Sequence, residues 1–415
     1  MGAGHSHGLG LGGADGALEQ APRASERTTT VLTVLVGVVV FLAVAGAVAV
    51  WPSDWSFMRS VPTSYEGASW VTVTVESVDA ESGSATVSLD GDELELADPG
   101  LTTFEYQVGD EVRALQLDTG EVVFGDFERG SPMLLLLVVY VLLVVAIARW
   151  RGLGALLGLL AAFGVVIFFT VPALFDGANP LVVALVTGAG ALFVLLYLAH
   201  GVNARTTTAY LGTLAGLLIT ALLAWWAVGA SRLTGIWSED GTHLELAGRA
   251  VDLQGLVLCG IIIAGLGVLN DVTVTQSSAV WELRAARPDI SRWSLFARGM
   301  RIGRDHIAST VYTIAFAYVG AALPTLMLVT LYDNSLATTL TSAEIAEEVV
   351  RTLVTSIGLV LAVPLTTGIA ALVVGYDGAI ADDEAVAAPD ADPVPAADSD
   401  PASPSQPGAS ATMEE

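Results

Sequence analysis

The sequence predicts an all-α membrane bundle of about eight transmembrane helices carrying a small extracytoplasmic β-barrel-like domain, and three observations predict it. Apolar residues make up 53% of the 415-residue chain and come in long blocks rather than in alternating or amphipathic patterns. The segment 51–131 breaks that pattern with period-two alternation and closely spaced turn signals. The net charge of -26 is concentrated in two stretches: 17 acids against Arg59, Arg113 and Arg129 between Trp51 and Ser131, and ten acids with no base from Tyr376 onward. The remainder is close to neutral, as a bilayer demands.

Residues 1–30 are Gly-rich and polar, which reads as a disordered cytoplasmic tail ending in Arg23 and Arg27. The apolar run 31–50 that follows is about twice a secretory h-region, so it reads as an uncleaved first transmembrane helix. Segment 51–131 reads as an acidic β domain. Trp70-Val-Thr-Val-Thr-Val-Glu76, Ala85 to Leu89 and Glu93 to Leu96 alternate, while Ser82-Gly83, Asp90-Gly91, Gly109-Asp110 and Thr119-Gly120 supply turns. Five or six short strands fit a small barrel of the oligonucleotide/oligosaccharide-binding (OB) or SH3-like kind.

Residues 132–375 read as a seven-helix bundle. Its blocks at 132–148, 152–171, 180–199, 209–230, 253–272, 307–331 and 352–375 are each long enough to approach or exceed a hydrocarbon core of ~30 Å at ~1.5 Å per residue. Pro324 predicts a kink in the seventh span. Beyond Gly375 the chain is Ala, Asp, Pro and Ser, which reads as a disordered acidic cytoplasmic tail over 376–415.

Orientation follows from arginine, since all 17 basic residues are arginine. Arg149, Arg151 and Arg205 follow the second and fourth spans, and Arg284, Arg287, Arg292, Arg298, Arg301 and Arg304 crowd the next connection. The positive-inside rule places those loops and both termini in the cytoplasm, with 51–131 outside. Within the connection Arg284 to Arg304, Trp293, Phe296 and Met300 share one side and arginines the other, the pattern of a helix lying in the interface over anionic lipid headgroups.

The residues that could carry chemistry lie where the sixth span turns polar without a turn signal, in Gly265-Leu-Gly-Val-Leu-Asn-Asp-Val-Thr-Val-Thr-Gln-Ser-Ser-Ala-Val-Trp-Glu282. Asp271, Thr275, Ser278 and Glu282 recur at offsets of four, three and four, which puts them on one face of a continued helix. Asn270, Thr273 and Gln276 extend that polar lining. Two readings stand: the helix leaves the bilayer near Asp271, or it is longer, or broken near Gly265 and Gly267, and Asp271 faces a water-filled cavity where it coordinates a cation or relays a proton. On the seventh span His306, Ser309 or Thr310, and Thr313 fall on one stripe, and a histidine near a membrane mouth can carry protons or simply mark the interface.

Other features read as structural. Gly154…Gly158, Gly212…Gly216 and Gly260…Ala264 space small residues four apart for close helix packing. Cys259 is the single cysteine, which excludes an intrachain disulfide and a cysteine metal cluster. His5 and His7 would hold a transition metal only loosely. Without lysine there is no Schiff base or phosphate-loop lysine, and no H-E-x-x-H, nucleophile elbow or dinucleotide fingerprint is present. The chain therefore reads as a non-enzyme with no cofactor, and without a basic surface for nucleic acid.

Taken together, Phe124-Gly-Asp-Phe-Glu-Arg-Gly130, the Gly265 to Glu282 segment, and Gly303-Arg-Asp-His-Ile through Leu323-Pro324 resemble the YibE/F-like family of bacterial multi-pass membrane proteins, over about residues 35–375. The resemblance implies a bacterial inner (plasma) membrane location and an outward β domain ahead of the main bundle. The expected function is a permease-like transporter of an ion or small solute, coupled to protons for want of a nucleotide site. The competing expectation is a non-transporting scaffold or sensor presenting its acidic outer domain.

Overall fold

The computed structural model describes residues 24–55, 67–79, 83–89, 91–97, 105–236, 239–246, 251–331 and 335–375. His5, His7 and the tail from 376 onward lie outside the described residues. Helix α1 (Glu26–Ala49) starts five residues before the apolar block because Ser25 caps it, accepting from the Thr28 amide, and Glu26 complements the positive end of the helix. Only Leu32 of α1 is buried. Val36, Val39 and Ala47 lie on a half-buried stripe against the bundle, and the other face of this apolar helix is exposed, as lipid requires.

Strands β1 (Ala68–Val78), β2 (Ala85–Leu89), β3 (Asp92–Ala97), β4 (Glu111–Leu117) and β5 (Val122–Phe127) close a barrel in the order β1-β2-β3-β5-β4. All pairs are antiparallel except β3 with β5. That order is the OB arrangement, which selects between the two barrels the sequence allowed. Alternation sends Val73 and Val75 of β1, Val87 of β2, Leu96 of β3, Val112 and Ala114 of β4, and Val122 of β5 inward, where Tyr106, Phe124 and Phe127 complete the core. Outside, Trp70 lies over Gly125, and the Arg113 guanidinium sits 5.5 Å from the Trp70 ring centre. Where the chain passes into the bundle, Arg129 donates to Asp126 at 2.7 Å and holds that carboxyl below the usual range.

Helix α2 (Gly130–Val165) continues through a π-helical turn at Val166–Thr170 into α3 (Val171–Phe175), making one apolar run of 46 residues. It is not straight. Arg149 has φ 53° and ψ −132°, and a Cβ on Gly152 would stand 2.6 Å from the Val144 carbonyl oxygen. In a straight helix eight residues cover about 12 Å, so the chain folds back here, and glycine permits the approach. The apolar blocks 132–148 and 152–171 are thus the two limbs of one helix broken at Arg149.

Helices α4 (Pro180–His200), α5 (Ala204–Ala230), α7 (Leu253–Ala286) and α11 (Ala343–Val373) build the centre, with a short α6 (Glu239–Leu246) between α5 and α7. Helix α8 (Arg292–Ala321) bends by 63° into α9 (Leu323–Thr330), the kink expected from Pro324, and α10 (Leu336–Leu340) leads into α11. Among the described residues six helical stretches are long and apolar enough to cross a membrane, or seven counting the bent pair α8 and α9.

The core of the bundle is a small-residue ladder. Gly212 meets Thr366, Gly216 meets Ala362, and Thr220 meets Gly358. Each step of four residues forward on α5 is four back on α11, so the two run antiparallel at the close distance glycine allows. Helix α7 lies in the same seam: Gly265 touches Thr220 and Thr355, and Leu269 touches Gly216. Gly154 and Gly158 pack against Leu198 and Leu195 of α4, as their spacing predicted. Gly260 does not follow the prediction, for a Cβ on it would meet nothing from another helix within 4 Å and it faces outward.

These contacts align the helix ends. Ser53, just past α1, donates through its amide and hydroxyl to Asp176 at 2.8 Å, which ties the segment leading to the barrel to the turn between α3 and α4. One end of the bundle therefore holds Ser53, Asp176, Pro180, Ala230 and Leu253, and the other holds His200 and Ala204.

Candidate functional site

Asp252 caps α7 by accepting from the Gly255 amide, and the helix then runs unbroken for 34 residues, about 51 Å. Neither Gly265 nor Gly267 breaks it. Gly265 instead admits the threonine methyls of α5 and α11. The segment Gly265 to Glu282 is thus one continuous helix carrying two polar stripes side by side.

The stripe singled out by spacing faces out of the bundle. Asp271, Thr275 and Glu282 are exposed and Ser278 is half-buried. The Thr275 hydroxyl is spent on the backbone carbonyls of Asp271 and Val272. The neighbouring stripe of Asn270, Thr273, Gln276, Ser277 and Arg284 faces inward, and there the hydrogen bonds between helices are made. Thr273 pairs with Thr213 of α5, Ser277 donates to the Arg205 carbonyl at 2.9 Å, and the Gln276 amide donates to the Gly299 carbonyl and to Thr367, each at 2.8 Å. Gly299 and Gly303 make this possible, because any side chain on them would strike Thr367 or Val363 beside Gln276.

Arg284 corrects a second expectation. It is fully buried, and its Nη1 donates to the carbonyls of Pro288 and Ile290, closing the turn between α7 and α8. It is unavailable to lipid headgroups. Nor is the basic connection a separate interfacial helix: Ser291 caps α8, which runs without a break from Arg292 into the seventh apolar block as far as Ala321. Leu295, Phe296 and Met300 pack into the protein, while Trp293 and Arg287, Arg292, Arg298, Arg301 and Arg304 are exposed.

Helix α8 brings His306 to Asp271. The imidazole Nε2 stands 3.8 Å from Asp271 Oδ2, with the histidine side chain 32% exposed and the aspartate 68%. His306 Nε2 is itself buried and has no hydrogen-bond partner among the described residues, and the same holds for Asn270 Oδ1. Below the pair, Val272 packs with Ile314, Leu359 and Val363, a hydrophobic floor joining α7, α8 and α11. Ser309 is exposed one turn along α8, where Thr313 donates to its carbonyl. Glu282 lies eleven residues beyond Asp271, about 16 Å along the helix, and does not join the pair. The sequence carried both stripes at the same three-and-four spacing, and no local signal says which one meets protein.

These features define a polytopic membrane protein: long helices apolar on their outer surfaces, joined inside by small residues and a few buried hydrogen bonds. Residues 136–376 match the model of the YibE/F-like protein family, more than half of the chain, and the chain belongs to that family. The match starts within α2, so α1, the barrel and the Phe124–Gly130 motif fall outside it, a narrower extent than the sequence resemblance implied. No curated protein and no solved structure matches the chain.

Proposed function

We propose that this protein is a proton-coupled permease for an ion or small solute, with Asp271 and His306 as the proton-handling pair on the α7–α8 seam. The observation that carries the reading is the His306 Nε2 atom, buried without a hydrogen-bond partner and 3.8 Å from a carboxylate oxygen. A polar atom left unpaired in an apolar seam costs free energy unless a bound species completes it. An imidazole can accept a proton at one moment and pass it to the neighbouring carboxylate at the next.

The depth of the pair supports the same reading. Ser277 bonds to Arg205 in the first turn of α5, which marks the end of the bundle, and Asp271 lies six residues inside that level, about 9 Å. In this reading the fold-back at Arg149 and the bent α8–α9 pair give eight crossings. Both termini and the arginines of α8 are cytoplasmic, the barrel is extracytoplasmic, and the membrane is the bacterial plasma membrane.

One observation favours the scaffold or sensor reading instead: the Asp271 side chain opens to the outside of the bundle rather than into an enclosed chamber. Purified protein in proteoliposomes decides between them. Transport predicts a pH-dependent flux that Asp271→Asn and His306→Gln abolish and that Glu282→Gln leaves within about twofold, since Glu282 is solvated. Flux with an unchanged rate and pH profile in Asp271→Asn rejects the site. Absence of flux across a panel of ions rejects transport in favour of the scaffold.

A further inference from the structure

The apolar character of the last span hides a charge cluster that the sequence reading passed over. Helix α11 starts at Ala343, nine residues before its apolar block, so Glu347, Glu348 and Arg351 become part of the same helix. Arg351 reaches back one turn to both acids: Nη2 lies 2.7 Å from Glu347 and Nη1 lies 3.0 Å from Glu348. The three side chains are only 18%, 32% and 23% exposed, in the order Glu347, Glu348 and Arg351. Between them the cluster holds two carboxylates and one guanidinium.

Among the described residues, Arg351 is the cation that acts on Glu347. The neighbouring core of α7 and α5 is Val257, Leu258, Ile261, Ala224 and Val228, packed against Ala346 and Val350 of α11. From α8 the facing ionisable group is the Tyr318 phenol, which feels both Arg351 and Glu348. Beside Glu348 an open pocket of about 240 Å³ is lined mainly by apolar residues of α8 to α11, among them Val319, Leu326, Leu340 and Leu353. Because α7 and α11 run parallel, with Gly265 beside Thr355 and Gln276 bonded to Thr367, Arg351 is level with Ile261. That is about 15 Å along the axis from Asp271, towards the opposite end of the bundle.

One guanidinium can balance one carboxylate, and the surplus negative charge is poorly hydrated and costly. The smallest species that removes it is a proton. We propose that Glu347, Glu348 and Arg351 form a proton-binding site in which the two carboxylates share one proton, loaded through the pocket beside Glu348. Uptake converts one carboxylate to a neutral carboxylic acid and leaves a balanced ion pair with Arg351; release restores one net negative charge. Because two interacting acids titrate together, the proton belongs to the pair rather than to either residue. Proton binding here stands whether or not the protein transports a solute, and it is tested without flux.

Dicyclohexylcarbodiimide is an apolar reagent that modifies a carboxyl group in its protonated form, and the modified peptide is located by mass spectrometry. In the full-length protein, the peptide containing Glu347 and Glu348 should be modified, with labelling falling roughly tenfold for each pH unit above the midpoint of the titration. Glu347→Gln and Glu348→Gln should each abolish labelling of the remaining glutamate, because a single carboxylate is then matched by Arg351. Arg351→Gln should raise labelling and move the midpoint upward, because both carboxylates are then unmatched. Ordinary solvent-exposed acids would behave otherwise: removing one would leave the other as reactive as before. That outcome overturns the proposal, as does a wild-type peptide that stays unlabelled across the pH range while other membrane-facing carboxyls react. Should Arg351→Gln fail to fold, the two glutamine variants decide the question alone.

Discussion

The ladder between α5 and α11 makes a sharp prediction at Gly358. A Cβ placed there would stand 2.0 Å from the Thr220 hydroxyl oxygen and 3.2 Å from Thr220 Cβ, against the ordinary contact distance of 3.4–4 Å. Thr220 is β-branched and stiff, and its hydroxyl is engaged at 2.9 Å with the Gly216 carbonyl, so it cannot rotate away freely. Gly358→Ala must therefore push the helices apart or break that bond. Overpacking costs about 1–3 kcal/mol, and the lost hydrogen bond adds about 1 kcal/mol. Alanine returns up to about 1 kcal/mol through helix propensity. The net is a destabilisation of about 1–3 kcal/mol. Thr220→Ala deletes the obstructing hydroxyl and methyl, so the double variant should recover most of the loss, a coupling of about 0.5–3 kcal/mol in a double-mutant cycle. Gly260→Ala is the control, with open space around its Cβ. Apparent melting temperatures of the detergent-solubilised protein give the ordering. The reasoning fails if Gly358→Ala melts with Gly260→Ala, or if Thr220→Ala lowers the Gly358→Ala variant further.

Arg284→Ala should lower stability by about 3 kcal/mol or more, because it strips two backbone carbonyls of a buried charged donor; proteolysis confined to the turn between Ala286 and Ser291 would show it, and wild-type resistance would refute it. Asp126→Asn should weaken the junction of barrel and bundle only slightly. The Asp126 carboxyl titrates below its ordinary value because of Arg129, so the pair contributes at neutral pH and the contribution is lost as pH falls through the lowered value. Any melting difference between Asp126→Asn and wild type should therefore vanish in acid, and a difference that grows in acid would contradict the assignment.

Much of the architecture was legible because membranes and barrels impose rules on single residues. Twenty consecutive apolar residues have one stable solution in lipid, and Val73 and Val75 alternating with Thr72 and Thr74 have one in a small barrel. Helix ends were less legible. α1, α8 and α11 all start earlier than their apolar blocks, since Ser25 and Ser291 cap the first two and polar helix can project beyond the hydrocarbon. The cluster at Glu347, Glu348 and Arg351 was missed for that reason: its charges read as loop when the helix is started at residue 352.

The sequence by itself determined that this chain is a polytopic membrane protein with an acidic β domain, and it carried the family resemblance. Length, alternation and charge placement are local properties, and each can be read without knowing a neighbour. Only the tertiary structure decided which face of α7 meets protein. Two polar stripes with the same spacing differ by about one residue of rotation, and the choice between them was made by Thr213, Thr367, Gly299 and the Arg205 carbonyl, all distant in sequence. The same packing turned Asp271 outward to meet His306 and buried Arg284 under its own loop. Helical periodicity fixes which residues share a face; the partner that buries the face comes from elsewhere in the chain, and no local pattern names it.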